Sequence, residues 1–236
     1  MESVLQYAKA RKYREGENPA NLENFEYTLP KKSDVHKVKH HPALPYAEIG
    51  AFMADLRKDK SMAARVVEFA ILTATRSQEA RLATWEEIDM SARVWTIPAE
   101  RMKAGKEHRV PLSDDVMKFL NALPRYEENN LLFPSPKGGT MSGMSLRNAL
   151  QRIGHGDITV HGFRSTFRDW AGETTSYPRE VCEHALAHQL KDKTEASYQH
   201  GDFLAKRAHM MNDWARHCGT IPSAKGENVI PIRKAV

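Results

Sequence analysis

From Glu86 to Leu112 the apolar residues leave helical spacing, and this change of period constrains the fold more than any other stretch of the chain. Trp85, Ile88, Val94, Trp95, Ile97, Val110 and Leu112 flank short polar turns, among them Lys103-Ala104-Gly105-Lys106. The pattern predicts three short antiparallel strands with a lysine-bearing hairpin. On either side the spacing is helical. Pro45 stands at a first turn, ahead of Ile49, Phe52, Met53 and Leu56. Ser61 is a suitable N-cap for a helix over Met62 to Thr73, where Val66, Val67, Phe69, Ala70 and Leu72 predict a mostly buried element. Arg76 falls where that helix ends, with Ser77 placed to cap the next. Ser113-Asp114-Asp115 caps a further helix around Val116, Phe119 and Leu120. Residues 134–143 read as an exposed loop, and Leu146 to His217 is helical again, broken near Gly154 and near Tyr177-Pro178. The expected fold class is α+β and mainly α-helical, with a small three-stranded antiparallel sheet.

The N-terminal stretch differs. Val4 to Ala10 reads as the end of a helix whose start is missing, and the polar, proline-marked residues 14 to 45 read as a connector. The expected organisation is the end of a preceding domain and its linker over residues 1–40, a catalytic domain over 41–219, and a tail over 220–236, with Met1 at a fragment boundary. The tail carries apolar Val229-Ile230-Pro231-Ile232 after a polar spacer, a segment suited to docking on a neighbour. Two cysteines, Cys182 and Cys218, are too few for a disulfide framework and lack metal-ligand spacing, so a reducing cytoplasm is the simplest expectation. No apolar run reaches the ~18 residues of a membrane helix. A formal net charge of +5 supports a polyanionic partner only weakly, so the argument turns on where the cations sit.

Arg76, Lys103, His161, Arg164, His188 and Tyr198 carry chemistry that suits a phosphodiester. An arginine's planar fork donates two hydrogen bonds to a phosphate, and Arg76 and Arg164 are the candidates. Glu79, one turn beyond Arg76, is placed to orient its guanidinium. In isolation R-x-x-E is more often a helix-end arginine paired with a surface glutamate. Lys103 and Lys106 share one turn, where either ammonium could donate a proton to a leaving oxygen, and spacing does not separate them. His161 and Arg164 are one helical turn apart and so are expected on one face, with part of the set Phe163, Phe167 and Trp170 in the core. His184 and His188, spaced i and i+4, could hold zinc on a helix, but H-A-L-A-H lacks the glutamate of H-E-x-x-H. Tyr198 is one of seven tyrosines, and Tyr177 is its nearest rival as a nucleophile. Lys31, Lys32, Lys37, Lys39, Arg147, Arg152 and Arg168 could reach a DNA backbone, though solvated charge is the default for each.

The local contexts T-R-S-Q-E, M-K-A-G-K-E-H-R-V-P-L, H-G-F-R, L-A-H-Q and A-S-Y-Q-H occur in this order. Together they resemble the tyrosine recombinase, or phage integrase, family, and among its members the satellite-phage type found in prophages and genomic islands. The likeness runs from about Glu17 to about Trp214. It implies that Arg76 and Arg164 are the catalytic arginines, that Lys103 rather than Lys106 is the catalytic lysine, and that His161 and His188 bind the scissile phosphate. It further implies that Tyr198, ten positions after His188, is the nucleophile. Ala187 replaces the usual glycine of the L-G-H pattern, and Gln199-His200 replace a position where arginine is common.

The resemblance implies a reaction as well. Tyr198 attacks the DNA phosphate to give a 3′-phosphotyrosyl link, Lys103 protonates the departing 5′-oxygen, and a 5′-hydroxyl of a second duplex reseals the strand. Neither metal nor another cofactor is implied. The implied partners are double-stranded DNA attachment sites, a homo-tetramer on DNA, and accessory DNA-bending or directionality proteins, with no membrane. A DNA-clamping helical domain upstream is also implied. Two other readings use the same residues: relaxation of DNA in the manner of a type IB topoisomerase, and a non-catalytic DNA-binding relic of an integrase.

Overall fold

The computed structural model describes residues 1–25, 42–188 and 201–221. The chain separates into two compact units, residues 1–40 and 41–236.

In the first unit, helix α1 (Glu2–Ala10) has no buried residue. The stretch that follows is more ordered than its polar composition suggests. The side-chain amide of Asn18, only 4% exposed, donates to the Glu2 carbonyl at 2.9 Å, and Lys9 pairs with Glu17 at 2.8 Å. Residues 14–25 therefore fold back along α1 and end in a 3-10 turn over Leu22–Phe25, because a buried amide needs partners that an extended connector would not supply.

The second unit is built around α3 (Met62–Thr73), which is buried on nearly all sides and so has no solvent face to keep polar. Ser61 caps it as expected, its hydroxyl accepting from the Ala64 amide at 3.2 Å. Its one buried carboxylate, Glu68, is held by Arg57 at 2.6 Å and Arg65 at 3.1 Å. Helix α2 (Ile49–Leu56), entered from Pro45 through a 3-10 turn, buries Ile49, Phe52, Met53 and Leu56. Helix α4 (Ser77–Arg81) is short, and its N-cap is Arg76 rather than Ser77. The Arg76 amide is capped from inside the helix by Glu79 at 2.8 Å, so the serine is not needed there.

Strands β1 (Ile88–Asp89), β2 (Val94–Ile97) and β3 (His108–Pro111) form one antiparallel sheet in the order β1-β2-β3, with Ile88 opposite Trp95 and Ile97 opposite His108. The sheet rests on α3 through Trp95, whose ring lies 5.0 Å from that of Phe69. The β2–β3 connection is wider than a tight hairpin and includes a 3-10 turn over Ala99–Arg101. Buried Met102 pins it, and Gly105 turns it at a φ of 62°.

Helix α5 (Asp114–Asn121) is capped by Ser113, as read from the sequence. In the following loop residues 136–140 are exposed, but Met141 is buried, so the exposed segment is shorter than 134–143. Helices α6 (Gly143–Arg152), α7 (Phe163–Thr174), α8 (Arg179–Ala185) and α9 (Leu204–Gly219) complete the unit. Helix α9 crosses the core, where the Trp214 indole donates to the Ile71 carbonyl at 2.8 Å, meets Phe167 edge-on and lies tilted against Trp170. Cys182 and Cys218 are buried free thiols. Among the described residues no helix is long and apolar enough to cross a membrane. The tail segment Val229 to Ile232 lies outside the described residues, as do Lys31, Lys32, Lys37 and Lys39.

Candidate active site

Arg76 follows directly on α3. That helix closes through Ala74 in the left-handed region (φ 52°) and buried Thr75, which turns the chain so that Arg76 starts α4 at the edge of the core. The carboxylate of Glu79, a residue 3% exposed, accepts from the Arg76 amide and from its Nη1, each at 2.8 Å. The guanidinium is thus aimed by a buried carboxylate, as its spacing suggested.

Arg164 enters from α7 and is almost wholly buried. Its Nη1 donates to the Ala74 carbonyl at 2.7 Å and its Nη2 to the Leu186 carbonyl. Both carbonyls belong to turns where the backbone leaves a helix, and the residue after Leu186 is Ala187, also left-handed at φ 48°. The departure from glycine noted in L-A-H-Q therefore falls on a residue whose conformation glycine adopts more readily. Burial and the neighbouring Arg76 pull the Arg164 pKa down to about 10, against Glu79 and Glu183, so it stays charged at neutral pH.

His188 lies just past α8. Its Nε2 is 3.1 Å from Arg164 Nη2, and its Nδ1 is 2.6 Å from Glu183 Oε2. Arg76, Lys103, Ala104, Ala187 and His188 line one cleft of about 480 Å³. Three of the residues singled out from the sequence thus share a cavity, and Arg164 stands behind it through His188. Because α8 ends at Ala185, His184 and His188 do not share a helical face. His184 instead packs edge-on against Phe203 at 5.2 Å. Lys103 and Lys106 are both exposed on the β2–β3 connection, and of the two Lys103 lines the cleft.

His161 departs from expectation. It sits in a 3-10 turn over Val160–Gly162 that precedes α7, and it is exposed where Arg164 is buried. Thr159 caps the turn, which runs into α7 through Gly162 and Phe163 in helical conformation, so the two residues belong to successive helical segments and differ in burial. Phe163, Phe167 and Trp170 are all core. Tyr198 lies outside the described residues. Its rival Tyr177 donates its hydroxyl to Asp213 at 2.6 Å, and burial with that carboxylate pushes the phenol up to about 12, a setting that opposes ionisation. Arg152 and Arg168, weighed as backbone contacts, are paired with Asp59 at 2.8 Å and Glu183 at 3.1 Å.

Three groups here were not singled out from the sequence. Glu183 bridges His188 and Arg168, and although burial raises its carboxyl, those partners hold it below the ordinary range. His108, at the start of β3, is driven to about 3 by burial and by the charges of Arg207, Arg164 and Arg76. Arg207, 1% exposed, ties α9 to the sheet through the Arg109 carbonyl at 2.6 Å and to the Asp202 carbonyl at 2.7 Å. A charged residue beside Val181 and Cys182 on the buried side of α8 was the available sign for Glu183.

Residues 43–204 match the model of the phage integrase family. The chain belongs to that family. The integrase of Enterobacteria phage P4 is 31% identical over 234 residues, covering 90% of this chain and 52% of that protein. The prophage integrase IntA of Escherichia coli (strain K12) is 36% identical over 183 residues, 75% of this chain and 44% of the relative. The chain thus spans about half the length of the curated relatives it matches. Among solved structures, an integrase from mycobacterium phage Brujita aligns with a TM-score of 0.57 at 17% identity, over 89% of this chain and 68% of the other. A lambda integrase dimer bound to a COC′ core site aligns at 0.56 and 14% identity, over 80% and 69%. These likenesses establish a tyrosine recombinase fold, mainly helical with a small antiparallel sheet.

Proposed function

We propose that this chain is the catalytic part of a site-specific DNA recombinase that integrates or excises a mobile element, with residues 1–40 the end of a preceding DNA-binding domain and its linker. The observation that carries this is the single cleft in which Arg76, Lys103 and His188 meet, with Arg164 bonded to His188 behind it. Such a cleft fits one phosphodiester. The arginine forks and imidazoles donate to the non-bridging oxygens, where preorganised donors lower the barrier most. Lys103, on an exposed turn at the cleft edge, protonates the leaving 5′-oxygen. His161, exposed in the turn ahead of α7, is assigned to the phosphate by its match to the family motif. Tyr198 supplies the attacking oxygen and keeps the phosphate as a 3′-phosphotyrosine, so the strand can be resealed by a 5′-hydroxyl of the partner duplex.

The family membership supports DNA as the partner, and a lambda integrase tetramer bound to a Holliday junction, alike in fold at a TM-score of 0.56, supports action as a tetramer. Accessory bending or directionality proteins and action in the cytoplasm belong to the same reading.

The test is trapping on a nicked suicide duplex with the full-length protein. The native enzyme forms a covalent protein–DNA adduct, and Tyr198→Phe forms none. An adduct that persists in Tyr198→Phe would remove that residue from the mechanism. Relaxation of a plasmid lacking an attachment site, without strand exchange, would replace recombination by a topoisomerase activity.

A further inference from the structure

We infer that Glu183 is a positioning residue for strand cleavage: it holds His188 as the Nδ1–H tautomer, with Nε2 turned toward the phosphate cleft. This rests on the recombinase reading above, but its structural half can be tested apart from it.

The hydrogen-bond directions decide the tautomer. A guanidinium has donors and no acceptor, so at 3.1 Å Arg164 Nη2 donates and His188 Nε2 accepts. The ring proton is then on Nδ1, where it is donated to Glu183 Oε2 at 2.6 Å. The other oxygen, Oε1, accepts from Arg168 Nε at 3.1 Å, so the carboxylate cannot turn away without losing a partner. Glu183 is 9% exposed, and it sits behind the imidazole, away from the residues that line the cleft. Its contact with the cleft therefore runs through the ring.

Two consequences follow for the reaction. When a phosphoryl oxygen enters, it can replace Nε2 as acceptor for Arg164. Nε2, released from Arg164, takes a proton from solvent and donates it in a hydrogen bond to the phosphate while Nδ1 keeps its bond to Glu183. Without Glu183 the ring is free to rotate or to place its proton on Nε2, and it then meets Arg164 donor to donor. The arrangement follows the same logic by which a carboxylate fixes the tautomer of a histidine that binds metal or activates a nucleophile.

Two measurements test the inference. In the 236-residue chain, long-range proton–nitrogen spectra should show His188 protonated at Nδ1. Glu183→Ala should lose that signature. Glu183→Gln should keep it, since its carbonyl still accepts from Nδ1. In the full-length protein on the suicide duplex, Glu183→Ala should slow single-turnover adduct formation by about 10- to 100-fold, the range such supporting carboxylates carry elsewhere. DNA affinity should change little, and Glu183→Gln should recover most of the rate.

A double-variant cycle separates positioning from mere structure. In a His188→Ala background, adding Glu183→Ala should cost almost nothing further. A wild-type cleavage rate in Glu183→Ala, penalties that multiply in the double variant, or an unchanged ring tautomer would each overturn the inference. Should Glu183→Ala fold poorly, the glutamine variant decides: loss of rate with an intact fold counts against positioning by hydrogen bonding. If the native protein forms no adduct, the recombinase reading falls. The tautomer measurement then decides alone whether Glu183 sets the ring.

Discussion

Two alanines do work at this site that their side chains do not reveal. Ala74 and Ala187 both hold left-handed backbone conformations, at φ 52° and 48°. The first presents its carbonyl to Arg164, and the second follows the residue that does. An L-residue there costs roughly 1–2 kcal/mol, and such strain persists only where surrounding contacts over-determine it. Ala74 is core and cannot lose its methyl without leaving a void. Ala187 lines the cleft, so the strain can be relieved there at little packing cost. Ala187→Gly is therefore expected to stabilise the protein by up to about 1 kcal/mol, less the extra entropy glycine loses on folding. In a chain of this size that raises the thermal midpoint by roughly 2–4 °C. A lowered midpoint would show that the turn before His188 is not strained in solution.

Helix α7 places Arg164, and its start is fixed by a contact no local pattern encodes. A Cβ built on Gly162 would lie 2.2 Å from the Pro42 carbonyl oxygen and 3.0 Å from Ala43 Cα. The same strap is held again where Thr166 donates its hydroxyl to the Leu44 carbonyl at 2.6 Å. Both obstacles are backbone, so Gly162→Ala must move either the strap or the helix that carries Arg164. The expected cost is about 3 kcal/mol, a fall in melting temperature of roughly 6–12 °C at 2–4 °C per kcal/mol. An unchanged midpoint would mean that Pro42 does not rest on this turn. The contrast explains what could be read in advance. Helices α2, α3 and α5 were legible because apolar spacing and a serine cap are local signals, and the sheet because its period changes within one segment. The glycine of H-G-F-R and the Ala74 carbonyl that receives Arg164 were not. Their partners are 122 residues away for Thr166 and 90 for Arg164, and one-dimensional spacing carries no such distances. His161 shows the same limit at short range, since three-residue spacing does not say whether a helix has yet begun.

The sheet and the helical layers converge on His108, so its protonation bears on the stability of the entire second unit. Three arginines face it: Arg207 from α9, Arg164 from α7, and Arg76 from the start of α4. A charged imidazole would be a fourth cation in that space. Burial first, and then those charges, lower its pKa from the usual 6.5 to about 3. The unfolded chain therefore binds a proton below pH 6.5 that the folded chain refuses until about pH 3. The contribution is fully present above 6.5 and is lost progressively as pH falls through this window, with a slope approaching 1.36 kcal/mol per pH unit for one proton. By pH 5 the loss is on the order of 2 kcal/mol. Carboxylates held below their ordinary values, such as Asp59 beside Ser61 and Arg152, and Glu183, add losses of the same sign only at lower pH. Across pH 7 to 5 those carboxylates therefore contribute little, and comparison with a His108 variant isolates this imidazole. Urea unfolding across it should show stability falling in the native protein and a clearly shallower slope in His108→Gln, whose side chain can keep a hydrogen bond without gaining charge. Equal slopes in the two proteins would mean that His108 takes up its proton in the folded state, and that the arginine cluster tolerates a further positive charge.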